Sequence, residues 1–315
     1  MNRRSFLSTA ALGAAALALP ARALWAAIPD FDHDPIQTLP LRGASLHVLS
    51  GMGGNITVLS SPDGLLQIDS GVPARGASVV QADARLSKAP ITLLVNTHWH
   101  ADHVGGNSAA AARGATIVAQ DKTYDRMATP QTIDFLKASV PAYPKSARPA
   151  LTFPDRLTLR HGGETLKLVH VAPAHTDTDA FVHFTQNNVI AAGDLFFNGF
   201  YPFIDYSSGG WIGGMVAGID QMLALTDAQT RIVPGHGPIG TPEDLRRSRE
   251  MLQTVQSRIE PLVAAGKTEA EAVAAKPTKD LDAVWGGFLF DGDTFTTLVY
   301  RGLKAHGASE DRKSL

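Results

Sequence analysis

Residues 96–107 read Asn96-Thr97-His98-Trp99-His100-Ala101-Asp102-His103-Val104-Gly105-Gly106-Asn107. The apolar run Ile91–Asn96 ahead of them predicts a buried strand. In extended backbone, side chains two apart share a face, so His98 and His100 project to one side. Asp102 and His103 follow where the chain leaves the strand and face a second point nearby. Four candidate ligands within six residues exceed what one tetrahedral catalytic site uses while keeping a position for water. The spacing therefore suits two adjacent metals, and Gly105-Gly106 would open a helix close to them.

Two metals demand further ligands, and three candidates lie downstream. His175 sits in Ala-His-Thr-Asp-Thr-Asp, Asp194 in Ala-Gly-Asp, and His236 in Pro-Gly-His-Gly. Each is expected just past the C-terminal end of a predicted strand, rigidly held yet open to a cleft. His33, His47, His161, His170, His183 and His306 lie outside this pattern and are read as ordinary core or surface residues. Cysteine is absent from the 315 residues. That excludes disulfides, thiolate catalysis, cysteine zinc fingers and cysteine-ligated iron–sulfur clusters. Nitrogen and carboxylate ligands without thiolate suit zinc, and also iron or manganese.

Composition is that of an ordinary globular chain, 44% hydrophobic and 18% charged. The formal charge of -2 gives no electrostatic reason to expect nucleic acid or an acidic membrane as partner. The partner expected is a small-molecule substrate. The first 23 residues read as an address. Arg3 and Arg4 precede an Ala- and Leu-rich run, then Pro20 and the small-x-small triplet Ala21-Arg22-Ala23. Arg3-Arg4-Ser5-Phe6-Leu7 resembles the twin-arginine signature, which implies export of a folded protein into a bacterial periplasm. The apolar run is shorter than the roughly 20 residues a spanning helix needs, so no membrane attachment is expected after cleavage.

Residues 24–315 read as one domain. Residues 24–40 are expected extended along the surface, followed by a meander of strands at Ala44–Leu49, Asn55–Ser60 and Leu65–Asp69. Val79–Ser87 has helical character. Further strands are predicted at Ala115–Ala119, Thr165–Val171, Phe181–Phe184, Asn188–Ala192 and Thr230–Val233. Helices are predicted at Met215–Leu225, Pro242–Glu260 (ended by Pro261), Glu269–Ala274 and Thr294–Ala305. Strand clusters with helices between them suggest two packed sheets with helices outside. The five prolines of Pro130–Pro154 predict a long irregular excursion. Phe196–Trp211 is dense in aromatics, and Phe197, Phe200, Tyr201 and Trp211 are its candidates for a substrate wall favouring an apolar or ring-bearing substrate.

His-x-His-x-Asp-His followed by separate His, Asp and His resembles the metallo-β-lactamase superfamily. The likeness runs from Ile68-Asp69-Ser70-Gly71 to Pro-Gly-His-Gly. It implies an α/β fold, an αβ/βα four-layer sandwich of two mixed β-sheets with outer helices and a dinuclear site at one edge. It also implies roles: His98, His100 and His175 on one metal, Asp102, His103 and His236 on the other, and Asp194 bridging. Asp69 would orient a ligand histidine from behind; Asp179 would either do the same or cap a turn. The chemistry implied is hydrolysis by a hydroxide held between two Zn(2+) ions, with Asp102 orienting the nucleophile.

The substrate is open at this point. Class B1 β-lactamases carry Cys where Asp194 stands and Lys at the position of Phe197, and class B3 enzymes lack the bridging Asp. Asp194 resembles glyoxalase II and lactonases, but lactonases carry Tyr at Phe197 and no basic glutathione pocket is visible. The expectation is a periplasmic hydrolase of an ester, lactone, thioester or amide, β-lactams included. The alternatives are an iron enzyme of the persulfide dioxygenase kind and a non-catalytic metal-binding protein. Flavodi-iron proteins carry Glu where His100 stands.

Overall fold

The computed structural model describes residues 35–43, 45–171 and 173–313. The expected export signal at 1–23, most of the stretch 24–40 and Ala44 lie outside them. The first half of the chain forms β1 (Gln37–Arg42), β2 (Leu46–Ser50), β3 (Ile56–Ser61), β4 (Gly64–Ile68), β5 (Ile91–Val95), β6 (Thr116–Gln120), β7 (Gln131–Ile133), β8 (Ala138–Val140) and β9 (Leu151–Phe153). The second half adds β10 (Arg156–His161), β11 (Glu164–His170), β12 (Ala180–Phe184), β13 (Val189–Phe197) and β14 (Arg231–His236).

These strands make two mixed sheets. The first runs β1-β2-β3-β4-β5-β6-β9 and the second β10-β11-β12-β13-β14. Each begins as an antiparallel meander and turns parallel late, at β4/β5 in one and β13/β14 in the other. A parallel pair needs a crossover, and helices provide it: α1 (Gly76–Leu86) between β4 and β5, and later a helix at Ile212–Leu223. α2 (Ala101–Val104), α3 (Asn107–Ala111) and α4 (Asp121–Ala128) complete the first half. The second carries α5 (Ile212–Leu223), α6 (Pro242–Ala264), α7 (Glu269–Ala274), α8 (Asp282–Trp285) and α9 (Gly292–Lys313).

Alternation along the strands separates the layers. Leu46, Val48, Leu66 and Val95 of the first sheet face Leu168, Val182, Val189 and Val233 of the second across a buried apolar interior. The first sheet's other face carries Val58, Leu65, Leu94 and Ile117 against Val79 and Ala82 of α1 and Ala110 of α3. Ile190, Ala192 and Leu195 on the second sheet's outer face pack under α5, α6 and α9. The order is helix, sheet, sheet, helix, the expected four-layer αβ/βα sandwich. Among the described residues no helix is long and apolar enough to cross a membrane.

Several local expectations need correction. Of the stretch expected to lie extended along the surface, Gln37–Arg42 does so as an exposed edge strand paired antiparallel with β2, an addition to the meander. Pro130–Pro154 is not irregular: it holds the β7–β8 hairpin and β9, because its prolines fall between the strands. Pro261 does not stop α6, which continues to Ala264. A proline removes one amide from the helix ladder. Here Ser257 and Pro261 are both exposed, so the carbonyl left over faces water. The start of α6 does behave as read: Thr241 and Asp244 form a reciprocal capping box, worth about 1 kcal/mol.

Candidate metal centre

The site lies where the two parallel pairs end. Asp69 follows β4; His98 and His100 follow β5, with Asp102 and His103 on α2; His175 lies in the loop after β11. Two residues sit differently from expectation. β13 does not stop at Ala192 but continues to Phe197, through register shifts against β14 around Gly193. Asp194 is therefore inside a strand, and His236 is the last residue of one. Gly235, beside Asp194 across that pair, has no substitute: a Cβ there would lie 1.8 Å from Asp194 Oδ1. Gly54 likewise gives up its side chain to the His103 ring, which a Cβ would meet at 2.4 Å.

Two groups of potential ligands result. His98, His100, His175 and Asp194 form one, and Asp102, His103 and His236 the other, each with donor atoms within 4.8 Å of one another. Asp194 faces both. Its Oδ2 lies 3.3 Å from His175 Nε2 and 3.8 Å from His98 Nε2. Its Oδ1 lies 3.1 Å from His103 Nε2 and 3.4 Å from His236 Nε2.

The hydrogen bonds behind the ligands fix which nitrogen carries a proton. His103 Nδ1 donates to Asp69 Oδ2 at 2.8 Å, His175 Nδ1 to the Phe203 carbonyl at 2.8 Å, and His100 Nε2 to Asp205 Oδ2 at 3.1 Å. Thr97 Oγ1 donates to Asp69 Oδ2, which leaves it to accept from His98 Nδ1 at 3.0 Å. The inward nitrogens, His98 Nε2, His100 Nδ1, His103 Nε2 and His175 Nε2, are then lone pairs aimed at one another. His100 Nδ1 and His175 Nε2 are 2.9 Å apart. His98 Nε2 is buried with no hydrogen-bond partner. So many acceptors converging in a buried space suit a cation, and the donor set of imidazoles and carboxylates fits zinc, iron or manganese.

Electrostatics agree. Burial alone would push His103 down, but the carboxylates of Asp194, Asp102 and Asp69 hold it well above its usual value. His236 is likewise carried up to about 9 against burial, chiefly by Asp194. Burial and the neighbouring imidazoles hold His98 well down, and burial takes His175 to about 4. Burial would raise Asp102 and Asp194, yet the surrounding histidines keep both ionised, below the usual carboxylate range. Protons gather on the imidazoles nearest the carboxylates, where a metal would displace them.

The scaffold behind the ligands is polar and buried. Asp69, at φ 64°, accepts from the Thr97 amide and hydroxyl as well as from His103. Asn96 and Asn107, flanking the histidine run, exchange amide bonds at 2.8 and 3.1 Å and tie α3 to the strand end. Asp179 touches no ligand side chain. It accepts from the Thr176 amide and hydroxyl, closing the turn that carries His175, and burial raises it to about 7. Asp205 was not singled out from the sequence. It orients His100, takes bonds from Ser207 and Ser208, and is kept ionised at about 2 against burial by its bond from His100. Its backbone amide also grips the His175 carbonyl. The sequence signal was slight: one acid followed by two serines within an aromatic run.

The aromatic candidates divide. Phe197 stacks on His236 at 5.1 Å and lines a cavity of about 320 Å³ shared with His100, Asp102, Asp194 and His236. Phe200 lines a second groove of about 430 Å³ on the other side of His236. Tyr201 and Trp211 line neither. Tyr201 is fully buried, its ring stacked on Phe295 and its hydroxyl donating to Asp282. Trp211 stacks on His306 of α9 at 3.6 Å. The cavity wall comes instead from Ile133, Phe135, Phe203, Phe288, Leu289 and Phe290.

Comparison with known proteins agrees with this architecture. The family model described as "Metallo-beta-lactamase superfamily" matches residues 49–265. A metallo-beta-lactamase type 2 from Bacteroides fragilis is 23% identical over 174 residues, 55% of this chain and 64% of its own length. Among solved structures, a metallo-beta-lactamase from Pontibacter korlensis superposes with a TM-score of 0.55 at 20% identity, covering 70% of this chain and 99% of that one. A double mutant of the sec-alkyl sulfatase PisA1 gives a TM-score of 0.64 at 18% identity, covering 90% of this chain and 52% of the other. With its sandwich, its His/Asp cluster at the strand ends and a matching family model across most of its length, the chain belongs to the metallo-beta-lactamase superfamily.

Proposed function

We propose that this chain is an exported hydrolase that holds two zinc ions and adds water to the carbonyl of an ester, lactone, thioester or amide. The observation that carries the reading is Asp194, one carboxylate turned toward two adjacent ligand groups. When bound, two zinc ions supply a hydroxide at neutral pH and polarise the substrate oxygen. The chain's own residues do the rest. Asp102, its side chain 30% exposed, faces the cavity and is placed to orient the attacking water and accept its proton. Asp69 and Asp205 hold His103 and His100 in one tautomer each. The apolar wall keeps bulk water from the reacting carbonyl.

The test is hydrolysis by the purified mature protein with zinc and with a chelator. A chromogenic cephalosporin is assayed beside esters, lactones and thioesters, with bound metal counted in parallel. Chelator-sensitive cephalosporin turnover above about 10⁴ M⁻¹s⁻¹ would mark a β-lactamase. Weak cephalosporin turnover beside active esters or lactones is the expected result, since Phe197 offers no cation for a drug carboxylate. Two bound zinc ions with no carbonyl substrate turned over would sink the reading. Export is tested separately: replacing Arg3 and Arg4 by Lys should trap the chain in the cytoplasm.

A further inference from the structure

The cavity beside the metal ligands says what the substrate carries. Its far wall is built by two segments that reach over the site from opposite sides: the β7–β8 hairpin and the turn at 288–290 between α8 and α9. Phe135, Phe203 and Phe290 form a triangle of rings with centroids 5.9–6.4 Å apart. Phe203 also lies 5.9 Å from His100 and from His175. The hairpin is tied down by the Asp134 amide donating to Ser207 Oγ. Among the described residues no lysine or arginine lines this space. Arg301 lies 5.7 Å from the Phe135 ring and is engaged bidentately by Glu269. Phe288 to Phe290 fall outside the stretch that the family model matches, residues 49–265, whereas Phe135 and Phe203 fall within it.

We infer that the substrate's acyl group is apolar and uncharged, and that Phe135, Phe203 and Phe290 select it. This rests on the hydrolase reading above. An ionised group pushed among these three rings, on the wall away from His236, would lose its water with no lysine or arginine lining the space to meet it. A hydrocarbon group would gain with each methylene buried.

The experiment uses 4-nitrophenyl acetate, butyrate and hexanoate, with mono-4-nitrophenyl adipate as the length-matched anion. In the zinc-loaded protein, kcat/KM should rise about fourfold per methylene. Hexanoate should exceed adipate by about 100-fold. Phe290→Arg should raise turnover of adipate and lower that of hexanoate. In parallel, the neutral dye Nile red is titrated by fluorescence, and Phe135→Ala and Phe290→Ala should each weaken its binding about tenfold. Equal turnover of hexanoate and adipate overturns the inference and leaves the hydrolase reading standing. Dye binding indifferent to both alanine variants overturns it as well. Dye binding that depends on both rings, with no ester turned over, upholds the apolar selection and removes the carbonyl chemistry instead.

Discussion

In the first half of the chain, the parallel pair β4/β5 ends in Asp69 and a six-residue run bearing four ligands. In the second half, the parallel pair β13/β14 carries Asp194 within β13 and His236 as the last residue of β14, and His175 comes from a separate loop. Both halves thus bring ligands to the C-terminal ends of parallel strands, but by different means. The first relies on local chain geometry braced from behind by Asp69, Asn96 and Asn107. The second relies on sheet register, since Asp194 and His236 are placed by how β13 slides along β14. Both leave no room for an added carbon, at Gly54 beside His103 in one and at Gly235 beside Asp194 in the other, but only in the second would that carbon act through the pairing of two strands.

The sharpest way to break this contrast is Asp194→Ala. Losing the carboxylate shared by both groups should leave less than two metals bound and lower kcat/KM by 10³-fold or more, on the order of 4 kcal/mol, read by metal analysis and kinetics. Gly235→Ala comes next. Its methyl would strike Asp194 Oδ1, so the strand pair must shift, and about 10²-fold of activity should be lost although the variant adds one carbon. Retention of full activity by this variant would end the claim that register governs the second half. Asp69→Asn and Asp205→Asn test the braces, one behind His103 and the other behind His100. Each should weaken metal affinity 10- to 100-fold, measured by competition with a chromophoric chelator. An unchanged affinity for both would leave the braces without a role.

The smallest effect expected concerns a carboxylate far from the site. Asp83 of α1 is buried, and both its oxygens lack partners. Burial raises it to about 7. The folded state therefore keeps this proton where the unfolded chain, at the ordinary value near 4, has lost it. Stability falls as pH climbs through that window, and the penalty is complete above about 7. Asp83→Asn should stabilise at pH 8 and change almost nothing at pH 4, because only the carboxyl, and not the amide, titrates between the two. Thermal melts at the two pH values decide it. Equal shifts would mean the carboxyl is satisfied in solution.

The same contrast explains what the sequence revealed. The His98–His103 run was legible because its ligands are neighbours, and ordinary strand and turn geometry suffices to aim them. His175, Asp194 and His236 could be nominated from local patterns. That Asp194 lies within a strand was not visible, because the extension of β13 depends on pairing with β14. Asp205 escaped notice for the same reason: its partner is 105 residues away. In the aromatic segment, composition promised a wall but not which rings would form it. Phe203 turns to His100 and His175 while Tyr201, two residues earlier, is drawn into the core by Phe295 and Asp282. Phe288 to Phe290 carried no local signal at all, since only the docking of the α8–α9 turn puts them over the site.

The meeting of His103 with His236, 133 positions apart at 3.4 Å, has a mechanical meaning. A cation held between those two side chains fastens the first sheet to the second and acts as a removable staple across a long loop. Its binding energy becomes part of the work needed to pull the sandwich open. The loaded protein should therefore unfold as one body, and a chelator should lower its melting temperature in proportion to how tightly the metal had been held.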